Sequence, residues 1–239
     1  MKVFVINLER SVDRKKHITN ELNRFGVEFE IFNAVDGNVN LKYREKYYSE
    51  IIRLLCYANS LSNSQIGCFA SHFELWEKCV AINENIIILE DDIDLMLNFK
   101  EGMEKIHQNI SKLEYIRLWG IFDRKSTLIN SDIKLYNKGP SGMQGYAITP
   151  LAASRLIQHA KIWNQPVDDY IDKYWIHGVL PFCITPHMVM CTDELPSTLT
   201  NNSKTKTLLK LTRELYKFTH VIRKKIFDLN HLKKYEEFS

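Results

Sequence analysis

The chain lacks the features that would reveal its class at a glance. Nine glycines and six prolines in 239 residues exclude a collagen-like repeat and a glycine- or proline-rich chain. No run approaches the ~18 consecutive apolar residues of a membrane span. The opening Met1-Lys-Val-Phe-Val-Ile-Asn-Leu turns polar at Asn7, too soon for the apolar stretch of a secretory leader, and reads as a first strand. The five cysteines (Cys56, Cys68, Cys79, Cys183 and Cys191) are odd in number and scattered, with no C-x-x-C pair. That pattern argues against a disulfide framework and against a zinc site, and it favours a reducing compartment. There is no G-x-x-x-x-G-K-[ST] phosphate loop. Together these absences predict a cytoplasmic protein.

What is present is ordinary in bulk and uneven in distribution. Hydrophobic residues make up 45% and charged residues 26%, enough for one globular domain with or without an appendage. Between Lys204 and Lys234 ten Lys/Arg face only Glu214 and Asp228, a net +8; the whole chain is +3, so the remainder carries −5. A mildly acidic body with a basic C-terminal segment predicts a tail that meets an anionic surface. The expected division is a domain over 1–195 and a linker plus basic helical segment over 196–239.

The chain opens β-α-β, which argues for a parallel sheet of nucleotide-binding type. Strand Lys2–Asn7 is followed by a helix capped at Ser11 and carrying Val12, Ile18, Leu22 and Phe25, then by strand Val27–Phe32. Helices are predicted at Gln65–Ile82, Phe99–Leu113, Pro150–Ala160 and Leu208–Leu229, and strands near Tyr115–Leu118, Ile133–Tyr136 and Tyr146–Ile148. Gly139-Pro-Ser-Gly-Met-Gln-Gly reads as flexible loop. The run Ile86-Ile-Ile-Leu is that of a central strand covered on both faces, and it ends in Glu90-Asp91-Asp92.

Three adjacent carboxyls at the end of a buried strand oppose one another's ionisation unless a cation is near. In open α/β sheets ligands sit beyond the carboxyl ends of the strands, where this cluster falls. Alternation along an extended chain places Glu90 and Asp92 on one side and Asp91 on the other, so that one side can hold Mg²⁺ or Mn²⁺ through oxygen ligands. The plainer reading is a strand end running into a solvated acidic turn.

Several pieces in order resemble the family 25 glycosyltransferases, which include bacterial lipooligosaccharide galactosyltransferases. They are Val5-Ile-Asn-Leu-Glu-Arg with Asp13-Arg14, Ala34-Val-Asp-Gly, Ile66-Gly-Cys-Phe-Ala-Ser-His-Phe-Glu-Leu-Trp, Ile88-Leu-Glu-Asp-Asp-Ile, Gly145-Tyr-Ala-Ile and Pro166-Val-Asp. They span roughly residues 3–170. The resemblance implies a GT-A-like single Rossmann-type mixed α/β sheet flanked by helices, with the basic helical appendage added. It further implies a UDP-sugar donor, usually UDP-galactose, Mn²⁺ or Mg²⁺, and inversion at the anomeric carbon. Tyr115-Ile-Arg-Leu-Trp-Gly is more decorated than the aliphatic strand the family carries there.

By that similarity Asp92 is the expected metal ligand, with Glu90 beside it and His177 as a further candidate. Glu90 and Asp91 would touch the metal, its waters or the nucleoside. Asn7, Arg10 and Arg14 are placed on base, ribose or phosphate, or form an ordinary turn and helix start. His72, Gly145 and Tyr146 fall in matched pieces and are assigned to donor binding; a lone helix histidine is also an ordinary packing residue. An inverting transferase needs a general base, for which Asp168 is first choice and Asp169 second, with a helix N-cap as the rival role for Asp168.

The basic helix either packs its apolar stripe on the body or attaches to anionic lipid, bringing the enzyme from the cytoplasm to the inner membrane and a lipid-linked glycan. No basic reading surface for nucleic acid is evident. A Mg²⁺-dependent nucleotide hydrolase or nucleotidyltransferase, and an inactive sugar-nucleotide- or lipid-binding module, stand as competing functions.

Overall fold

A computed structural model of the protein describes residues 1–192, 209–232 and 235. The expected linker Pro196–Lys206 and the basic residues 204, 206, 233 and 234 lie outside the described residues. The opening is the expected β-α-β unit: β1 (Lys2–Asn7), α1 (Val12–Arg24) and β2 (Glu30–Asn33), with β2 parallel to β1. Two short helices follow, α2 (Lys42–Tyr47) and α3 (Glu50–Tyr57), and then α4 (Asn63–Ile82). Ser62 begins α4 with a capping box: its hydroxyl accepts from the Gln65 amide while the Gln65 side chain accepts from the Ser62 amide.

Strand β3 (Ile86–Glu90) lies parallel to β1 and is followed by β4 (Ile93–Leu95), α5 (Phe99–Leu113), β5 (Tyr115–Arg117), β6 (Ser126–Leu128), β7 (Ile133–Tyr136) and β8 (Gly145–Ile148). The chain continues through α6 (Pro150–His159), α7 (Val167–Ile171), α8 (Tyr174–His177), β9 (Phe182–Ile184), β10 (Val189–Cys191) and α9 (Lys210–His231). Among the described residues one mixed sheet has the order β2-β1-β3-β8-β5-β9-β7-β6, and β4 pairs with β10 in a separate ribbon. The mixed α/β architecture expected from the sequence is present.

The apolar run in β3 has the predicted cause. Ile86 and Ile88 pack on one side with Phe69, Trp76 and Leu156, while Ile87 and Leu89 pack on the other with Ile18, Phe99 and Ile106. Burying both faces excludes water from the strand, so its first ionisable group appears only at its carboxyl end. Because β1, β2 and β3 are parallel, their carboxyl ends open on one edge, with Ile6 beside Glu90 and Asn7 beside Asn33.

Of the two readings of the basic helix, packing of its apolar stripe on the body is not observed among the described residues. In the stripe Leu211, Leu215, Phe218, Ile222, Ile226 and Leu229, Leu211 is 72% exposed and Phe218 62%. The opposite face docks instead. Tyr216 sets its ring 5.3 Å from that of Tyr57, Trp175 Nε1 donates to His220 Nδ1 at 3.1 Å, and the Tyr174 hydroxyl donates to Asp228 at 2.8 Å. The body surface there is aromatic with polar atoms to satisfy, which suits Tyr, His and Asp better than Leu.

The 139–145 loop is pinned, not flexible. The buried Arg117 guanidinium on β5 donates to the carbonyls of Ser141 and Gly142 and to Asp172 Oδ1 at 2.6 Å, while the Ser141 amide donates to Asp172 Oδ2 at 2.9 Å. This clamp explains the decorated strand around Tyr115–Gly120. It ties the loop before β8 to the residue just after α7.

Close backbone approach explains two glycines. A Cβ on Gly67 would lie 2.5 Å from the Val35 carbonyl oxygen and 2.6 Å from the Gly37 amide nitrogen. Ser71 secures the same contact, its hydroxyl accepting from the Val35 amide at 2.8 Å and donating to the Gly67 carbonyl at 2.9 Å. Gly67→Ala is therefore expected to destabilise the fold by about 1–3 kcal/mol, read as a lowered urea midpoint at unchanged m-value. A midpoint equal to that of the parent would show that the Val35–Gly37 turn is free to move off α4.

Candidate active site

The parallel strand ends and α4 enclose a cleft of about 120 Å³. Its walls come from the end of β1 (Ile6, Leu8, Arg10, Ser11), from Arg14 of α1, and from Ala34-Val35-Asp36-Gly37 after β2. Ser64, Cys68 and Ser71 of α4 and Glu90-Asp91-Asp92 complete it. Residues 64, 68 and 71 share one helical face. Asp36, Ser64, Cys68 and Ser71 carry no individual signal in the sequence, and Ser11 reads there only as a helix cap. The Ala34–Gly37 and Ile66–Trp76 pieces pointed to their segments, but only tertiary contact shows that they share a wall.

Of the residues expected at the site, Arg10, Arg14, Glu90, Asp91 and Asp92 line this cleft. Asn7 does not. It is buried, and its amide donates to Asp91 Oδ2 at 2.6 Å and to the Ser11 carbonyl at 3.2 Å, so it positions a carboxylate and does not line the cleft. Arg14 Nη1 donates to Asp91 Oδ1 at 2.9 Å and to Asp92 Oδ2 at 3.1 Å, bridging the two aspartates. The chain bends after Glu90, so strict alternation does not hold: Asp91 and Asp92 share a partner while Glu90 lies towards α4. Arg10 is half-exposed at the mouth and pairs with Asp36.

Three further expectations are corrected. Gly145 and Tyr146 support the floor without lining the cleft. A Cβ on Gly145 would meet Leu89 Cδ2 at 2.9 Å, and the Tyr146 hydroxyl lies 3.0 Å from His72 Nδ1 and accepts from Trp76 Nε1 at 2.9 Å. His72 itself is 0% exposed, and burial lowers its imidazole to about 3, with the Arg117 charge adding to the shift. His177 is no metal ligand here. Its Nδ1 accepts from the Val179 amide at 3.1 Å and its Nε2 sits 3.2 Å from the Tyr170 carbonyl, so both ring nitrogens are occupied.

Asp168 lies in the first turn of α7, whose N-cap is Pro166, so the rival capping role is not observed. Its charge helps raise the Glu90 carboxyl, which places it within electrostatic reach of the cleft from the second half of the chain. Asp169 is at the surface, yet surrounding protein and the Asp168 carboxylate push its carboxyl up to about 6, against Lys173 and Arg53.

The electrostatics suit a cation. Burial raises the Glu90 carboxyl well above the carboxylate range, with Asp92, Asp91 and Asp168 adding to the effect and Arg14 opposing it. Burial also raises Asp91, opposed by its bonds to Asn7 and Arg14. Among the described residues Asp92 Oδ1 is buried without a hydrogen-bond partner, beside an Oδ2 held by Arg14. An oriented, unsatisfied carboxylate oxygen in a cleft is a fitting ligand for a hard divalent cation.

Similarity to known proteins bears on the family of the chain. Residues 1–171 match the family model of glycosyltransferase family 25 (LPS biosynthesis protein), a span that takes in the cleft and Asp168. A Haemophilus influenzae protein provisionally named a glycosyltransferase is 31% identical over 184 residues, covering 75% of this chain and 64% of that protein. A glycosyltransferase 25 family member of Aedes aegypti is 27% identical over 189 residues, 71% of this chain and 30% of its own length. Procollagen galactosyltransferase 2 of Mus musculus is 30% identical over 118 residues, 47% of this chain and 19% of that protein. The chain thus spans less than two thirds of each of these relatives. A solved galactosyltransferase 7 of Drosophila, complexed with manganese, UDP-Gal and xylobiose, overlaps 89% of this chain and 79% of that one. Its identity is 12% and its TM-score 0.41, too weak a likeness to argue from. With residues 1–171 matched end to end, the chain belongs to glycosyltransferase family 25.

Proposed function

We propose that the protein transfers a hexose, galactose first among the candidates, from a UDP-hexose to a lipooligosaccharide-type glycan with inversion at the anomeric carbon. The reading rests on one observation: the cleft at the carboxyl ends of β1, β2 and β3 ends in Asp92, whose buried Oδ1 lacks a partner among the described residues. Asp92 would hold Mn²⁺ or Mg²⁺, with Glu90 adjacent, and the bound cation would offset charge on the departing nucleoside diphosphate. Arg14 holds the carboxylates in place through Asp91, and Arg10 offers a guanidinium at the mouth for phosphate. Asp168 is the preferred base for the acceptor hydroxyl and Asp169 the alternative. The relatives named galactosyltransferase favour galactose as the sugar.

Asp92→Asn is expected to abolish Mn²⁺-stimulated UDP-sugar binding, measured by calorimetry, and to cut UDP release with a glucosyl- or lactosyl-type acceptor at least 100-fold. Turnover unaffected by EDTA would overturn the metal role. UDP-sugar cleavage without acceptor would favour a hydrolase, and binding without any turnover would favour an inactive module.

Asp168→Asn is expected to lower transfer by 10²–10⁴-fold while leaving UDP affinity nearly intact. Full activity would move the base to Asp169. A carboxyl raised to about 6 keeps its proton below that pH. With Asp169 as base, kcat/KM would fall as pH drops through about 6, and Asp169→Asn would remove both the activity and that limb.

The outward face of α9 supports attachment to anionic lipid at the inner face of the membrane. Its described charges, Lys210, Arg213, Lys217, Arg223, Lys224 and Lys225 against Glu214 and Asp228, leave net +4 beside an exposed apolar stripe. Among the described residues no helix is long and apolar enough to cross a membrane. Burying one Leu or Phe contributes about 1.5–3 kcal/mol, so Leu215→Ser with Phe218→Ser is expected to weaken binding to phosphatidylglycerol vesicles more than tenfold. Added salt should weaken the parent as well. Absence of vesicle binding, with a dimer in sedimentation that the double variant breaks, would assign the stripe to a second copy.

A further inference from the structure

We propose that Cys68, His72 and Glu90 form a second cation site, built for a soft divalent ion such as Zn²⁺ and distinct from the hard-cation position at Asp92. Cys68 and His72 are one helical turn apart on α4 and face the end of β3. A sulfur, a ring nitrogen and a carboxylate oxygen from the three residues lie within 4.8 Å of one another. His72 Nε2 and Glu90 Oε1 are 3.6 Å apart, too far for a hydrogen bond. A tetrahedral zinc with bonds of 2.0–2.2 Å to nitrogen and oxygen separates those two ligands by about 3.4 Å. The observed 3.6 Å is close to that separation.

The independent observation is the imidazole itself. His72 is 0% exposed, and among the described residues its Nε2 has no hydrogen-bond partner. Its other nitrogen is backed by the Tyr146 hydroxyl at 3.0 Å, itself anchored by Trp76 at 2.9 Å. With Nδ1–H donating to Tyr146, the Nε2 lone pair points between Cys68 and Glu90, the arrangement that orients histidine on a metal. With the opposite tautomer the Tyr146 hydroxyl donates to Nδ1, and Nε2–H faces Glu90 Oε1 at 3.6 Å, beyond hydrogen-bond reach.

Ligand chemistry separates this site from its neighbour. Thiolate and imidazole select zinc over magnesium or manganese, whereas Asp92 and phosphate oxygens select the hard ions. Binding releases the Cys68 thiol proton to solvent and forms a sulfur–metal bond. Both Cys68 and Glu90 line the cleft, so the fourth coordination position opens into it. Zinc there is expected to obstruct the donor, a consequence that rests on the proposed function; the site itself does not.

The test uses the full chain, without donor or acceptor, titrated with Co²⁺ as a spectroscopic probe in a thiol-free reductant. The expected result is a near-ultraviolet sulfur-to-cobalt charge-transfer band with four-coordinate visible bands, bleached by one equivalent of Zn²⁺, which binds more tightly. Cys68→Ser should abolish the charge-transfer band with an unchanged far-ultraviolet circular dichroism spectrum. His72→Gln should weaken cobalt binding at least tenfold, and Asp92→Asn should leave the band in place. Absence of the band in the parent, or its survival in Cys68→Ser, would overturn the site. Its loss in Asp92→Asn would show one shared site in place of two. Because no sugar is present, these outcomes stand whether or not the protein transfers hexose.

Discussion

Everything at this site follows from burying β3 on both faces. Four apolar residues run through the middle of the molecule with a core on each side. A charge within that run would have to be desolvated, a cost of several kcal/mol. The ionisable residues therefore gather where the strand meets solvent, and parallel pairing with β1 and β2 brings three such ends to one edge. The cleft is a consequence of that geometry before any ligand is considered.

Crowded carboxyls need support, and the fold supplies it in layers. Asn7 and Arg14 hold Asp91, and Arg14 reaches on to Asp92. Tyr146 and Trp76 hold His72 behind Glu90. Arg117 and Asp172 tie the loop before β8 to the end of α7. Some of the polar residues that the sequence marked as ligands, Asn7 and Tyr146 among them, stand behind the lining as such supports. A residue one layer behind a site is as constrained as one that lines it, so motif membership alone cannot separate the two.

The C-terminal helix adds an asymmetry. It docks through aromatic and polar groups and turns its regular leucine stripe to solvent, the reverse of an ordinary amphipathic surface helix. It contacts α3 and α8, on the flank where α7 presents Asp168 and Asp169.

Local chemistry determined much from sequence alone. The apolar β3, the capped α4, the β-α-β opening and the acidic cluster are legible because periodicity, caps and burial act over a few residues. The family pieces from Val5 to Asp168 extended that reading to a function. Tertiary structure decided the rest. Which face of α9 docks depends on the partners that Tyr57, Tyr174 and Trp175 offer, and which carboxylate oxygen is left unsatisfied depends on where Arg14 reaches. The cysteines look scattered and metal-free in the sequence. Cys68 and His72 share a helical turn, but only the packing of α4 against the end of β3 brings Glu90 to them, because sequence separation says nothing of that distance.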